Sequence, residues 1–497
     1  MPYFSVEFPL KTETFQEHIL SKRFEISRKI FNALLGLAKN RMVEYQKTTA
    51  YKELIAKYKE LCEKNPKNNT EKKEIQKALK GINKQLKELR KPYRLEKTDI
   101  EKDVKQMQKR FSQNIDSHTA QKIALFVYRS ISSVLYKNGK KVHFKKYGEM
   151  TSLESKSNNS GIRFKDDFIY WFGLKIPVVI DKNNPYEVMA FDSKIVYCRL
   201  IKRYVRNKYK YYVQIVFEGY PPAKLNPDGS FKHPIVEGDV GIDIGTSTLA
   251  IVSEKEVLLT ELADKAETIE VERRRLLRKL DRSRRATNPD NFNANGTVKT
   301  GKKLIWHRSK HYMKTLMKLK EIYRKQAAIR KYQHELLANY ILSLGNHIYV
   351  ETMNFKGLAK RAKETKKDAN GKFKRKKRFG KSIANRAPAM LLSTINRKLG
   401  YQGKELIEID TWKAKASQFN HFNETYTKKK LSQRWNYING YKIQRDLYSA
   451  FLIMNINEDL KSFDLNKCKE RFEHFYELHN QEILKLKQDK HLASMGV

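Results

Sequence analysis

Three carboxylates stand in settings where a charged group needs a reason. Asp243 lies inside an apolar run, IDIG; Glu351 ends another, IYVE; Asp446 follows Arg445 in the first turn of a predicted helix. Carboxylates at two strand ends and a helix start, drawn from distant segments, can converge at one edge of a mixed sheet. Three such oxygen donors are what hard Mg²⁺ or Mn²⁺ ions take. Two such ions about 3.5–4 Å apart activate a water and stabilise the leaving 3′ oxygen of a phosphodiester. Taken singly each residue has a plainer use, since a lone strand Asp commonly serves a turn and Asp446 also compensates a helix dipole.

The elements that must position them follow from periodicity. Gly238–Glu254 (GDVGIDIGTSTLAIVSE) reads as a β-hairpin, followed by a basic helix over Glu261–Arg285, a polar loop through Gly301 and a helix over Lys303–Leu344. Asn346–Phe355 is an apolar strand. Lys356–Lys381 sets 13 Lys/Arg against only Glu364 and Asp368 and reads as a basic loop. A helix (Ala387–Leu399), a strand (Glu405–Ile409) and a Trp/Asn-rich excursion lead to a helix opening at Gln444-Arg445-Asp446, with a charged helical tail from Asn455.

Upstream, Tyr3–Phe8 alternates as a strand. Ser21–Tyr136 turns helical, with Ile26, Ile30, Leu34 and Leu37 on one face and a capping-box spacing at Thr98 and Glu101. A Lys-rich helix, Thr70–Arg90, is parted from its neighbour at Asn65–Pro66. It reads equally as an arm over a duplex and as a solvated Lys/Glu pair. Ile195–Val205 and Tyr209–Glu218 flank Arg206-Asn207-Lys208 as a hairpin, and with the opening strand predict one barrel-like module interrupted by the helical segment. Tyr220–Glu237 is a Pro/Asn/Gly-rich linker.

Composition narrows the substrate. The 497 residues carry 102 Lys+Arg against 55 Asp+Glu, a balance of +47. That excess is self-repulsive unless a polyanion neutralises it, which argues against a metabolic enzyme of small neutral substrates. With 40% hydrophobic and 11% aromatic residues the chain still builds real cores. Basic and aromatic residues interleave, as in RLIKRYVRNKYKYY (Arg199–Tyr212), a pattern that with the total charge favours phosphate tracking beside stacking platforms, although tyrosines at alternating strand positions also serve packing. No apolar run is long enough for a bilayer-spanning helix, and MPYFSVEFPLK lacks a signal-peptide pattern, so a cytoplasmic, membrane-free protein is expected. Cys62, Cys198 and Cys468 are too scattered for a disulfide framework or a cysteine zinc site.

VGIDIGTSTLAIVS resembles the phosphate-loop hairpin of sugar kinases and actin-like ATPases, in which Gly241 and Gly245 would let backbone amides approach phosphate. No glycine-rich adenosine segment follows it. The order of Gly241–Thr246, Val350–Leu358 (VETMNFKGL) and Arg445–Ala450 (RDLYSA) more specifically resembles the split RuvC nuclease of TnpB-type proteins and of the miniature type V-F CRISPR effectors. The resemblance implies a multidomain α+β chain with a ribonuclease-H-like core at 238–414 and 441–497. It implies a β-barrel-like wedge at 1–20 and 139–219, a helical recognition insertion at 21–138 and a linker at 220–237. Asp243, Glu351 and Asp446 would be Mg²⁺ ligands, with Arg434 or Arg445 on the scissile phosphate. Guide RNA, double-stranded target DNA and its displaced strand would be the partners, with two protein copies on one RNA in a prokaryotic cytoplasm. In those families a zinc finger with two C-x-x-C knuckles precedes the R-D pair. Here, within 415–440, asparagines (Asn420, Asn423, Asn436, Asn439) stand at the cysteine positions. Neutral amides do not replace thiolates on zinc, so no zinc is expected. A transposon-encoded TnpB-like nuclease, a non-catalytic nucleic-acid binder and an actin-like ATPase remain the alternatives.

Overall fold

Alternating and helical hydrophobic patterns sort the chain into two units, Met1–Lys224 and Leu225–Val497. The computed structural model describes residues 2–64, 69–136, 139–206, 208–266, 268–301, 303–362, 364–371, 373, 379–430, 432–488 and 495–497. The expected break at Asn65–Pro66, Asn207 of the hairpin and part of the basic loop (363, 372, 374–378) lie outside these residues. The chain is a mixed α+β, multidomain protein.

In the first unit, β1 (Tyr3–Pro9) leads into helices α1 (Thr14–Lys47), α2 (Thr49–Glu63), α3 (Asn69–Arg90), α4 (Lys97–Lys109) and α5 (Ser117–Tyr136). Strands β2 (Ser152–Glu154), β3 (Arg163–Lys165), β4 (Phe168–Trp171) and β5 (Leu174–Pro177), helix α6 (Pro185–Ala190), and strands β6 (Ile195–Val205) and β7 (Lys208–Glu218) follow. The opening strand pairs antiparallel with the last, Tyr3 opposite Glu218, so the helices are an insertion between sheet partners. Among the described residues the sheet runs β1-β7-β6-β2 with two edges, and β3-β4-β5 form a second sheet. The expected barrel is therefore a pair of open sheets, bridged at Leu10–Val178.

The buried stripe of α1 runs through Ile26, Ile30, Phe31, Leu34, Leu35, Ala38 and Met42; Leu37 is 37% exposed and leaves the predicted face. A 3.6-residue period carries the stripe from Leu34 and Leu35 to Ala38, past Leu37. The Thr98 capping box does not form either. Glu96 occupies the N-cap of α4, and its carboxylate accepts from Arg90 at 2.6 Å.

The second unit is built on β8 (Asp239–Ile244), β9 (Thr248–Ser253), β10 (Val257–Glu261), β11 (His347–Glu351) and β12 (Ile407–Ile409), in the order β10-β9-β8-β11-β12. The first three strands are antiparallel; β11 runs parallel to both β8 and β12. Its helices are α7 (Glu270–Thr287), α8 (Lys310–Leu344), α9 (Phe355–Leu358), α10 (Gly380–Arg386), α11 (Pro388–Leu399), α12 (Thr411–Ala414), α13 (Arg445–Met454) and α14 (Leu465–Gln488). Two hairpins, β13 (Phe419–Asn420) with β14 (Thr425–Tyr426) and β15 (Trp435–Ile438) with β16 (Tyr441–Gln444), sit between α12 and α13.

Strand alternation then makes three layers. Val240, Ile242 and Ile244 pack with Ala338, Ile341 and Leu342 of α8 and Leu391 and Ile395 of α11. The opposite face of the sheet meets α13 and α14, through Ala250, Val252, Val257 and Leu259. The basic helix begins at Glu270, nine residues after Glu261: β10 pairs with β9 as far as Glu261, and Asp264–Ala266 makes a separate 3₁₀ turn ahead of the helix. The next helix begins at Lys310, where the Ser309 hydroxyl caps it by accepting the Tyr312 N–H at 3.1 Å.

Candidate active site

The strand register places the first two carboxylates. Gly241 and Asp243 share the face of β8 opposite to Val240 and Ile242, since side chains alternate. In the parallel β11, Tyr349 pairs with Gly241 and Val350 with Ile242, so Glu351 stands one residue on, beside Asp243 and on the same face. That face is covered by α13. A Cβ on Gly241 would run into the carbonyl oxygen of Ala450 and lie 2.5 Å from the Met454 nitrogen, so only glycine lets this helix touch the strand backbone. Asp446 is one helical turn before Ala450, as Asp243 is one strand period beyond Gly241. One close approach thus sets Asp446 over Asp243.

The glycine that the kinase resemblance reserves for phosphate is occupied by helix backbone. Gly245 shapes the hairpin, its N–H donating to the Thr248 carbonyl at 2.9 Å. The Thr246 carbonyl accepts the Ser382 hydroxyl at 2.8 Å, tying α10 to the same turn.

Burial pushes the Asp243 carboxyl well above the usual range, and the nearby charges of Asp446 and Glu351 push it further, against the pull of Arg445 and Arg434. Burial also raises Glu351, to about 7. Asp446 is held by arginines: Arg445 donates through Nε and Nη2 to Oδ1 at 3.0 and 2.8 Å, and Arg434 Nη1 to Oδ2 at 3.5 Å. Arg445 Nη1 also donates to the Gln433 carbonyl at 3.1 Å. Lys429 completes this cationic rim. Burial and the Arg445 charge lower its pKa, and nothing but its Lys428–Lys430 run marked it in the sequence.

An all-carboxylate donor set with mutual repulsion suits a hard divalent cation, which offsets that repulsion. Among the described residues no three carboxylate, imidazole or thiolate groups are drawn together tightly enough to hold an ion as they stand. Asp446 turns both its oxygens to guanidinium groups instead. Arg434 and Arg445, expected on a phosphate, here take a carboxylate.

Three of the four asparagines of the knuckle segment have local uses. Asn420 Oδ1 accepts the Phe422 N–H at 3.0 Å, and Asn423 Oδ1 accepts the Thr425 hydroxyl at 2.7 Å, both local turn bonds. Asn439 and Gly440 both have positive φ, 46° and 82°, and make the tight turn between β15 and β16. Asn436 is 2% exposed, and among the described residues neither atom of its side-chain amide has a partner. An aromatic cluster fills the space between the hairpins and α14: Phe422 on Tyr441 (6.0 Å between ring centres) and on Phe472 (4.9 Å), and His421 on Phe472 (5.0 Å). His421 is buried, its pKa pushed down to about 4 by burial, and its Nδ1 pairs with the Tyr448 hydroxyl at 2.7 Å.

The basic-aromatic run Arg199–Tyr212 is divided: Arg206, Lys208, Tyr209 and Lys210 are exposed at the hairpin end, and the rest of its described residues are buried or half-buried. Lys202 and Tyr211 are buried, and Arg199 and Arg203 pair with Glu154 and Glu7. Ile26, Ile30 and Leu34, weighed as an association face, lie in the first unit's core. Cys62, Cys198 and Cys468 are free thiols. Among the described residues no helix is long and apolar enough to cross a membrane.

No family model matches this chain, and no curated protein does. Among solved structures, a cryo-EM structure of a CRISPR-Cas12f ternary complex is similar at 14% identity, covering 90% of this chain and 86% of that one, with a TM-score of 0.23. Likeness of that degree identifies neither an activity nor a partner for this chain.

Proposed function

We propose that the chain is an RNA-guided DNA endonuclease of the type V-F kind, cutting phosphodiesters at a single RuvC-like site. The observation that carries this reading is the meeting of Asp243, Glu351 and Asp446 on one sheet face in a chain of net charge +47. The sequence order of the three motifs supports it. Asp243, Glu351 and Asp446 would hold Mg²⁺ or Mn²⁺, which when bound supplies an activated water and charge for the leaving oxygen. The rest falls to the side chains. Glu351 and Asp243, burdened by burial, favour a site occupied by cations over an empty one. Arg434, Arg445 and Lys429 form a positive rim that attracts a phosphate and can trade Asp446 for it, arginine being fitted to grip either oxyanion. Guide RNA base-pairing would provide target selection, with basic surfaces holding the polyphosphate backbones. We assign the wedge and recognition roles to the first unit, the asparagine knuckle to target-strand contact without zinc, and assembly to two copies on one RNA.

The test is to isolate the protein with its RNA and sequence what is bound. A constant scaffold joined to many different spacer-like ends is expected. One RNA species matching a mobile element's end would move the assignment to a TnpB-like nuclease. No defined RNA together with ATP hydrolysis would return the hairpin to the kinase fold. Asp243→Ala is expected to keep RNA and target binding and to lose cutting; unchanged cutting would remove the three carboxylates from the mechanism.

A further inference from the structure

The described residues Met495–Val497 return to the rim of the candidate site. Met495 is buried in the core shared by α13 and α14. Its carbonyl oxygen accepts the Gln444 Nε2–H at 2.9 Å, while Gln444 Oε1 caps α13 by accepting the Leu447 N–H at 2.9 Å. The Gln444 backbone N–H donates to His479 Nε2 of α14 at 3.0 Å. One amide side chain therefore ties this segment to the helical turn that carries Arg445 and Asp446. The Gly496 carbonyl accepts the Trp435 Nε1–H at 2.6 Å. Gly496 has φ +74°, and a Cβ there would fall onto the Arg434 Cβ and 2.6 Å from its Cγ. The glycine backbone is thus a wall along the Arg434 stem, whose guanidinium reaches Asp446 Oδ2 at 3.5 Å.

We propose that Met495–Gly496 is a positioning element for the nuclease centre, holding the Arg434 guanidinium at Asp446 and fixing the Gln444 cap from which that carboxylate projects. This rests on the nuclease reading above. A long arginine side chain reaches a reacting group reproducibly only when its stem is confined, and small misplacements there are expensive in rate.

The experiment compares guided DNA cleavage by the full chain with its RNA and Mg²⁺ in Gly496→Val, Arg434→Ala and the double variant. Gly496→Val and Arg434→Ala are each expected to lower turnover about tenfold with KM for target unchanged, and the double variant to be no slower than Arg434→Ala, since both act through one guanidinium. Trp435→Phe keeps an aromatic ring but removes the indole N–H to Gly496, and is expected to slow turnover about threefold by loosening the same wall. The inference is overturned by full turnover in Gly496→Val or Arg434→Ala, by a double variant that loses the product of the two factors, or by a change confined to KM. Should Gly496→Val fail to fold, full turnover in Trp435→Phe overturns it instead. Asp243→Ala, run in parallel, separates the two ideas: if it still cuts, the nuclease reading fails; if it is dead while the tail variants are unaffected, only this inference fails.

Discussion

Replacing Gly241 by alanine puts the strand-helix contact under direct test. The added Cβ would lie 2.5 Å from the Met454 nitrogen, 2.8 Å from the Met454 Cβ and closer still to the Ala450 carbonyl oxygen. Ordinary contact begins near 3.4 Å, and backbone cannot rotate away as a flexible side-chain end can. Helix α13 must therefore back off by roughly 1 Å, carrying Asp446 with it. Overpacking of this kind costs about 1–3 kcal/mol, and a 1 Å misplacement at a reacting centre costs on the order of 100-fold in rate. The expected result for Gly241→Ala is a melting temperature lower by several degrees and guided cleavage slowed about 100-fold, with RNA retention and target binding intact. Single-turnover cleavage under saturating Mg²⁺ reads the rate; a mobility shift reads the binding. A Gly241→Ala protein that cuts at the wild-type rate would refute the placement of Asp446 over Asp243 through this contact.

Three further outcomes are expected. Glu351, raised to about 7 by burial, is disfavoured as an anion in the folded chain, so its contribution to stability is present below pH 4.5 and is lost as pH rises through about 7. Without divalent ions the wild type should lose about 3 kcal/mol relative to Glu351→Gln between pH 4.5 and 8, and Mg²⁺ should restore it at pH 8; parallel denaturation curves for the two proteins would disprove the burial effect. Asn436→Leu removes a buried, unpartnered amide at similar volume and should raise the melting temperature by about 3 °C, whereas a lower value would mean that the amide has a partner in solution. Exhaustive zinc chelation followed by Mg²⁺ should leave folding and cleavage unchanged; loss of secondary structure on removing stoichiometric zinc would contradict the asparagine reading of the knuckle.

Much of the second unit's layering is legible in the sequence because β8 and β11 are apolar runs that carry Asp243 and Glu351 near their ends, and a strand's two-residue period dictates which neighbours share a face. What the sequence hides is close range. Gly241 reads equally as a phosphate-loop glycine and as a packing glycine, and only the Ala450 carbonyl above it decides. The partners of Arg434 and Arg445 are a matter of side-chain reach, not of spacing, so a phosphate was expected where Asp446 is found. Strand β10 escapes the sequence because Val257–Thr260 falls between the expected hairpin, which ends at Glu254, and the expected helix, which opens at Glu261, and its five residues, VLLTE, suit either period. Leu37 failed for the opposite reason, a leucine that belongs to a helix but not to its buried stripe. Gly496 and Met495 carry no motif at all; their role rests on what the chain folds back against.

The order in which β8, β11 and α13 leave the ribosome has its own consequence. The first unit closes its sheet when β7 pairs with β1, by residue 218, and N-terminal units fold first during synthesis. The three carboxylates share a face only after residue 446 has emerged and α13 has docked on Gly241. A nascent chain can thus complete its first unit well before the three carboxylates share a face. On the proposed reading, cutting chemistry is withheld until α13 has been made, with no inhibitor, by the sequence position of a single helix.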